Sequence, residues 1–111
     1  MATLKRLDKA LRVFISETGH SRAELPQLLM FCGIALAGDT GLTVTEASEA
    51  AGLSSAGGSR NLKILGPQGR GKFEGLALID ISYDPMRPLF KILKLSKKGQ
   101  ALVQKIEKAL E

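Results

Sequence analysis

The stretch TEASEAAGLSSAGGSRNLKIL, Thr45–Leu65, contains two short helical patterns separated by Gly52. Thr45 is the predicted N-cap of the first helix and Ser54 that of the second, because a hydroxyl oxygen there satisfies a free backbone N–H group. The pair GP at 66–67 ends the second helix. Two helices joined through a glycine turn, the second capped by serine and polar in its first turns, form a helix-turn-helix pattern.

Two adjacent glycines, Gly57 and Gly58, lie in the first turns of the second helix. Each costs a helix interior about 1 kcal/mol relative to alanine, so their presence needs a structural reason. Helical spacing puts Gly58 on the same face as Leu62 and Leu65, which predicts a close approach to the preceding helix. Gly57 is expected to point outward and to leave bare backbone where a ligand would lie.

The sequence after this pattern predicts a β-hairpin and a final helix. Two β-type runs, LALIDISY (76–83) and LFKILKL (89–95), flank the tight connection DPMRP, which is typical of a hairpin. A short β-like segment, LTV (42–44), precedes the two central helices. Ser96 is the predicted cap of a last helix over 96–110.

Two further helices are predicted before the helix-turn-helix. The first spans about 3–18, is capped by Thr3 and ends at Gly19. The second has Pro26 in its first turn, where a missing N–H group costs nothing, and ends at Gly38. Its predicted inward face consists of Leu25, Leu28, Leu29, Cys32, Ala35 and Leu36.

Composition and motifs limit the classes of function. A chain of 111 residues indicates a single domain, and one cysteine with one histidine forms no internal disulfide and no recognisable metal site. Cys32 is expected to be a buried thiol, and His20 a surface residue of a loop. No catalytic constellation, phosphate-binding loop, signal peptide or membrane span is visible, so we expect no enzyme, no cofactor, no membrane partner and a cytoplasmic location.

The net charge of +5 is unevenly distributed along the chain. Nine of the 16 Lys and Arg residues lie between positions 54 and 99, together with three acidic residues. This basic segment coincides with the second helix of the helix-turn-helix and with the hairpin. A basic surface there favours a polyanionic partner.

The chain from about Leu25 to Leu110 resembles the MarR-type winged helix-turn-helix regulators. The segment GLSSAGGSRNLKIL is similar to the family's reading helix, and DPMRPLFKILKLSKKGQAL is similar to its wing and following helix. The family's wing-tip arginine pair falls here on Pro88 and Leu89, and its buried valine falls on Gly58. The resemblance implies one mainly helical α+β domain over 1–111, with a helix-turn-helix at about 45–66, a hairpin wing at about 76–95 and terminal helices at about 3–18 and 96–110.

We therefore expect a transcriptional regulator that binds double-stranded DNA in a sequence-specific manner, and a repressor rather than an activator. Its reading helix would enter the major groove with polar side chains toward the base edges, while basic and hydroxyl side chains contact phosphates. The predicted base contacts are Ser55, Ser59, Arg60 and Asn61, with Gly57 beside them. The predicted phosphate, loop and wing contacts are Thr43, Thr45, Ser54, Lys63, Arg70, Lys72, Arg87 and Lys91.

Apolar stripes on the terminal helices predict a homodimer, as the resemblance also implies, although packing on the domain's own core would use the same residues. The stripes consist of Leu4, Leu7, Leu11 and Phe14 on the first helix and of Leu102, Val103, Ile106 and Leu110 on the last. Two alternatives stay open for the function. The domain could be a protein-interaction module that uses Met86, Leu89 and Phe90 of the wing. It could also be a regulator that senses an effector the sequence does not identify.

Overall fold

The computed structural model describes residues 1–19, 23–67 and 75–111, with Pro88 described by its backbone alone. His20, Arg70 and Lys72 lie outside the described residues. The elements are α1 (Ala2–Thr18), α2 (Leu25–Ala37), a 3₁₀ turn (Gly38–Thr40), β1 (Leu42–Thr43), α3 (Val44–Ala50), α4 (Ser55–Leu65), β2 (Ile79–Asp84), β3 (Arg87–Leu95) and α5 (Lys97–Leu110). The predicted fold class, mainly helical with a hairpin wing, is confirmed.

Most helix ends follow the predicted caps. The Ser54 hydroxyl accepts the Gly57 N–H group at 3.2 Å, and the Ser96 hydroxyl accepts that of Gly99 at 3.0 Å. Gly19 ends α1 in the left-handed conformation, with φ of 68°. At the N-terminus, α1 begins at Ala2 with Met1 as its N-cap, so the predicted cap at Thr3 is wrong by two residues.

The predicted cap of α3 at Thr45 is also wrong, because Thr43 occupies the N-cap position. The Thr43 hydroxyl accepts the Glu46 N–H group at 3.2 Å, and the Glu46 carboxylate accepts the Thr43 N–H group at 2.9 Å. This reciprocal capping box satisfies two backbone donors at once, which a cap at Thr45 could not do with Ser48. Thr45 is therefore an exposed residue in the first turn of α3.

The described strands form one antiparallel sheet in the order β1-β3-β2. β2 begins at Ile79 rather than at the predicted position 76, because the preceding residues pair with the end of α4 instead. The N–H groups of Leu76 and Leu78 donate to Ile64 and Leu65 carbonyls at 2.8 Å, and that of Ala77 donates to the Gly66 carbonyl at 3.1 Å. These bonds satisfy carbonyls that a helix end otherwise leaves without partners.

A single core joins the helices to the base of the sheet. Its largest fully buried side chains are Phe14, Met30, Phe31, Ile34, Leu65, Leu78, Ile79 and Leu93. Phe14 of α1 and Phe31 of α2 meet edge to face with ring centroids 5.8 Å apart. The core thus fixes α1, α2, α4 and the wing base relative to one another.

The predicted inward face of α2 is wrong for most of its residues, although Leu28 does pack against the core. The buried face consists of Gln27, Met30, Phe31 and Ile34. On the opposite side, Leu25 is 66% exposed, Leu29 44% and Leu36 88%, and Cys32 is exposed as well rather than buried. Neighbouring side chains still desolvate the Cys32 thiol enough to raise its pKa.

The stripes on α1 and α5 divide between the core and the surface. Phe14 is 2% exposed and Leu102 3%, so both are buried within the domain itself, which corrects their assignment to a dimer interface. Leu4, Leu7 and Leu11 remain exposed, Val103 and Ile106 are half-buried, and Leu110 is 38% exposed. A 2.8 Å ion pair between Lys105 and Glu17 also links the two helices. Within the described ranges, no helix has the length and apolar character needed to cross a bilayer.

Candidate nucleic-acid interface

The outward face of α4 is polar and accessible. Ser55, Ser59, Arg60 and Lys63 are all exposed, as is the N-cap residue Ser54. Leu62 and Leu65 on the opposite face anchor the helix in the core. A helix held in this way can present its polar face to a groove without losing its own packing.

Gly58 permits a close contact between α3 and α4. A Cβ atom at this position would overlap the Ser48 hydroxyl oxygen and lie 2.7 Å from the Ser48 Cβ. Ser48 is itself held in place, since its hydroxyl donates to the Val44 carbonyl at 2.7 Å. The predicted role of Gly58 in close packing is therefore confirmed, and this contact sets the spacing of the two helices.

Gly57 and Asn61 do not lie where the sequence placed them. Gly57 is buried, with Leu53 and Ser54 side chains 3.4 Å from the position of a Cβ atom, so it offers no bare backbone to a ligand. Asn61 is 8% exposed, and its Nδ2 donates to the Gly57 carbonyl at 2.8 Å. Both predicted DNA contacts are wrong, because these residues lie on the inner side of α4.

A cleft between α4 and the wing brings three of the predicted residues together. Ser59 and Lys63 of α4 line one side, and Lys91 of β3 lines the other. The cleft has a volume of about 420 Å³, and its lining also includes the apolar residues Leu62 and Ile81. The two lysines are exposed, so the cleft combines positive charge with apolar lining residues.

Tyr83 belongs to the same surface and was not among the predicted residues. It pairs with Lys91 in the antiparallel register, and directly opposite residues share a face of the sheet. The side chain is 62% exposed. The sequence could have indicated Tyr83, because the alternation of Ile79, Ile81 and Tyr83 in β2 places these three side chains on one face of the strand.

The tip of the wing is built around the Asp84 carboxylate. Its oxygens accept the Met86 N–H group at 2.9 Å and the Arg87 Nε at 3.1 Å. These bonds hold the pKa of Asp84 below its ordinary value, and the bond from the Met86 N–H group has the larger effect. The Arg87 guanidinium also lies 4.9 Å from the centre of the Phe90 ring. Arg87 is exposed, as predicted for a wing contact, but it is engaged within the hairpin.

The start of α3 adds hydroxyl groups beside the wing. Thr43 is half-buried as the helix cap, whereas Thr45 is exposed. Hydrogen bonds from the backbone and side chain of Thr43 lower the pKa of Glu46, and the charge of Arg87 acts in the same direction. Throughout the described part of the chain, no group of three or more His, Cys, Asp or Glu residues could hold a metal ion.

These elements define a winged helix-turn-helix module: α3 and α4 form the helical pair, and β2 and β3 form the wing. The chain matches no protein-family model, and no curated protein matches it at a significant level of similarity. Solved structures of MarR-family transcriptional regulators share its fold.

One of these structures is BpsR of Bordetella bronchiseptica, whose DNA binding is regulated by 6-hydroxynicotinic acid. It is 15% identical to this chain, with a TM-score of 0.61, and the match covers 96% of this chain and 69% of BpsR. The PcaV regulator from Streptomyces coelicolor, solved with its natural ligand, is 20% identical with the same TM-score and coverage. MarR is 21% identical with a TM-score of 0.59 over 94% of this chain and 74% of its own. The winged helix fold that the sequence resemblance implied is thereby confirmed.

Proposed function

We propose that this protein is a transcriptional regulator that binds double-stranded DNA in a sequence-specific manner and represses the genes it controls. The observation that carries the proposal is the cleft in which Ser59, Lys63 and Lys91 meet beside the exposed polar face of α4. Contacts to phosphates supply much of the affinity for DNA, and this surface provides two cations, Lys63 and Lys91, beside the helix that reads the bases.

Sequence reading is assigned to the outward face of α4. The major groove is about 12 Å wide and admits one α-helix, and α4 is the helix whose exposed face is polar. An arginine side chain can make a bidentate contact with guanine, so that contact is assigned to Arg60, and Ser55 and Ser59 can donate to or accept from either kind of base pair. Asn61 and Gly57 are excluded from this set by their burial.

Phosphate contacts are assigned to the residues that surround this face. Lys63 and Lys91 lie on either side of the cleft, and the exposed hydroxyls of Thr45, Ser54 and Tyr83 can donate to phosphate oxygens. Arg70 and Lys72 are proposed as further contacts on the basis of charge alone. These residues supply affinity and register rather than sequence preference.

The protein is further proposed to act as a homodimer in the cytoplasm. Leu4, Leu7 and Leu11 form an exposed apolar stripe along α1, and Leu110 lies exposed at the end of α5. An apolar stripe of this kind is costly in water and is stabilised when a partner covers it. A two-fold dimer would present two α4 helices to a palindromic site.

The DNA-binding proposal is tested with duplexes selected from a random-sequence library. We expect Arg60→Ala to weaken binding to the preferred duplex by about 1–3 kcal/mol and to relax the base preference at one position. Lys91→Ala should weaken binding to all sequences alike and reduce the salt slope by about one. Lys108→Ala removes an exposed lysine from α5 and serves as the control, for which we expect no change.

Two outcomes would contradict these assignments. If Arg60→Ala bound the preferred and scrambled duplexes as the wild type does, α4 would not be the reading helix. If the wild-type protein bound no duplex at 50 mM salt, the protein-interaction module would be the better explanation, because nonspecific DNA binding is strongest at low salt.

The dimer is tested by measuring mass in solution with light scattering. Leu7→Glu and Leu11→Glu together should convert a dimer to a folded monomer, because they place two charges in the apolar stripe. Ser16→Glu adds a charge to another exposed position of α1 and should leave the mass unchanged. A wild-type protein that is monomeric at micromolar concentration would contradict the proposal.

A further inference from the structure

The most exposed apolar side chains of the wing lie at its tip. Met86 is 88% exposed and Leu89 95%. The register of the hairpin jumps from the Tyr83–Lys91 pair to the Asp84–Arg87 pair, so residues 88–90 of β3 form a bulge. Bulges of this kind turn a side chain away from the ladder, and this one lies where Leu89 projects into solvent.

The two charged groups of the tip, Asp84 and Arg87, are paired with each other. The Asp84 carboxylate holds the Met86 backbone and the Arg87 side chain, and Arg87 in turn covers one face of the Phe90 ring. The cation of the tip is thereby paired within the hairpin. What the tip offers to a partner is a pair of apolar side chains on a fixed turn.

The position of the tip favours DNA as the partner, which rests on the proposed function. Lys91, which lines the cleft beside α4, follows Leu89 by two residues and Met86 by five, or at most about 7 Å and 17 Å of extended strand. The adjacent minor groove is centred half a helical turn, roughly 17 Å, from the centre of the major groove. With α4 in the major groove and Lys91 at the phosphates between the grooves, the tip reaches the minor groove.

We propose that Met86 and Leu89 form an apolar wedge that enters the minor groove beside the site read by α4 and partly unstacks a base step there. Apolar side chains inserted in this way kink the duplex by about 20–90°. The cost of the kink depends on the sequence at the step, and flexible pyrimidine–purine steps are the easiest to open. The wing would thus select sequence at a position where it makes no hydrogen bond to a base.

The test compares DNA bending and affinity for the highest-affinity duplex recovered from a random library. We expect the wild-type protein to bend this duplex by about 20° or more, measured by fluorescence energy transfer between its labelled ends. The double variant Met86→Ala with Leu89→Ala should leave the duplex nearly straight and bind on the order of tenfold more weakly. Its salt slope should equal that of the wild type, because no phosphate contact is lost.

Leu36→Ala is the matched control, since Leu36 is an equally exposed leucine, at 88%, on α2. It should change neither bending nor affinity, and thermal melts should show both variants folded. Specific binding without bending, or a double variant that binds and bends like the wild type, would overturn the wedge while leaving the proposed function intact. In the second case the apolar tip is assigned to a protein partner. Absence of specific binding by the wild-type protein would instead overturn the proposed function itself.

Discussion

Helices α2 and α4 both pack against α3, but their outer faces differ in chemistry. α2 contains no charged residue, and its outer face carries Leu25, Leu29 and Leu36 at 44–88% exposure. α4 instead exposes Ser59, Arg60 and other polar side chains. Water solvates the outer face of α4 well, and a polyanion can replace that water. The outer face of α2 is solvated poorly, so covering it with another apolar surface lowers the free energy.

The comparison shows that exposure alone does not tell what a helix face is for. Leu36 of α2 and Arg60 of α4 are both exposed, yet one is an apolar group and the other a cation. The inner faces of the two helices also differ. Ile34 of α2 fills the core with a large side chain, whereas Gly58 of α4 has no side chain and so lets α3 approach closely. Three pairs of substitutions test this division between inner and outer faces.

The largest effect is expected on the inner face of α2. Ile34→Ala should lower the free energy of unfolding by about 2–5 kcal/mol, because it leaves a cavity in the core beside Phe31 and Met30. Leu36→Ala, two residues along the same helix, should change it by less than about 0.5 kcal/mol. Urea unfolding followed by circular dichroism measures both. Equal effects of the two substitutions would show that the faces of α2 are assigned incorrectly.

A smaller effect is expected where α4 meets α3. Gly58→Ala should destabilise the protein by about 1–3 kcal/mol, because its Cβ would overlap Ser48. Gly57→Ala is the matched neighbour: its Cβ would make ordinary 3.4 Å contacts, and the helix would gain up to about 1 kcal/mol from the better helix former. Thermal melts compare the two variants. A stabilised Gly58→Ala protein would mean that α3 and α4 do not approach as closely as described.

The smallest effect is expected from Asn61→Ala. The substitution removes the hydrogen bond to the Gly57 carbonyl and should cost about 1 kcal/mol or less, since alanine is the better helix former. It should leave the base preference unchanged, whereas Arg60→Ala should alter the base preference and leave stability nearly unchanged. Selection from a random duplex library with each variant provides the measurement. A changed base preference for Asn61→Ala would place that residue at the DNA after all.

The order of elements and the positions of most caps could be predicted from the sequence, because these depend on local chemistry. Ser54, Ser96 and Gly19 each stabilise a helix end through bonds to the adjoining turn, and the capping box at Thr43 was missed only because Thr45 offered a second hydroxyl nearby. The hairpin could be predicted because two β-type runs flank the turn sequence DPMRP. Residues 76–78 look equally β-like, but their partners are carbonyls of α4, which local sequence does not reveal.

The faces of the helices could be predicted only where one side was polar. α4 has a polar side, so its inward residues Gly58, Leu62 and Leu65 were correctly identified. Around the whole of α2 the side chains are uncharged, so periodicity offered two equivalent faces and the wrong one was chosen. Asn61 was misplaced for a related reason: an amide looks like a surface group until its bond within the helix is known.

The three hydrogen bonds from residues 76–78 to the end of α4 have a mechanical consequence. Ser96 is the N-cap of α5, and it also bonds to this segment. Its hydroxyl donates to the Ala77 carbonyl at 2.7 Å, and its N–H group donates to the Leu78 carbonyl at 2.9 Å. The rear of α4 is thus fixed to the start of α5, and the 11 residues of α4 form a lever about 16 Å long. A tilt of α4 by about 5° about that fixed end would move its first turn by about 1.4 Å, which is enough to break a hydrogen bond to a base.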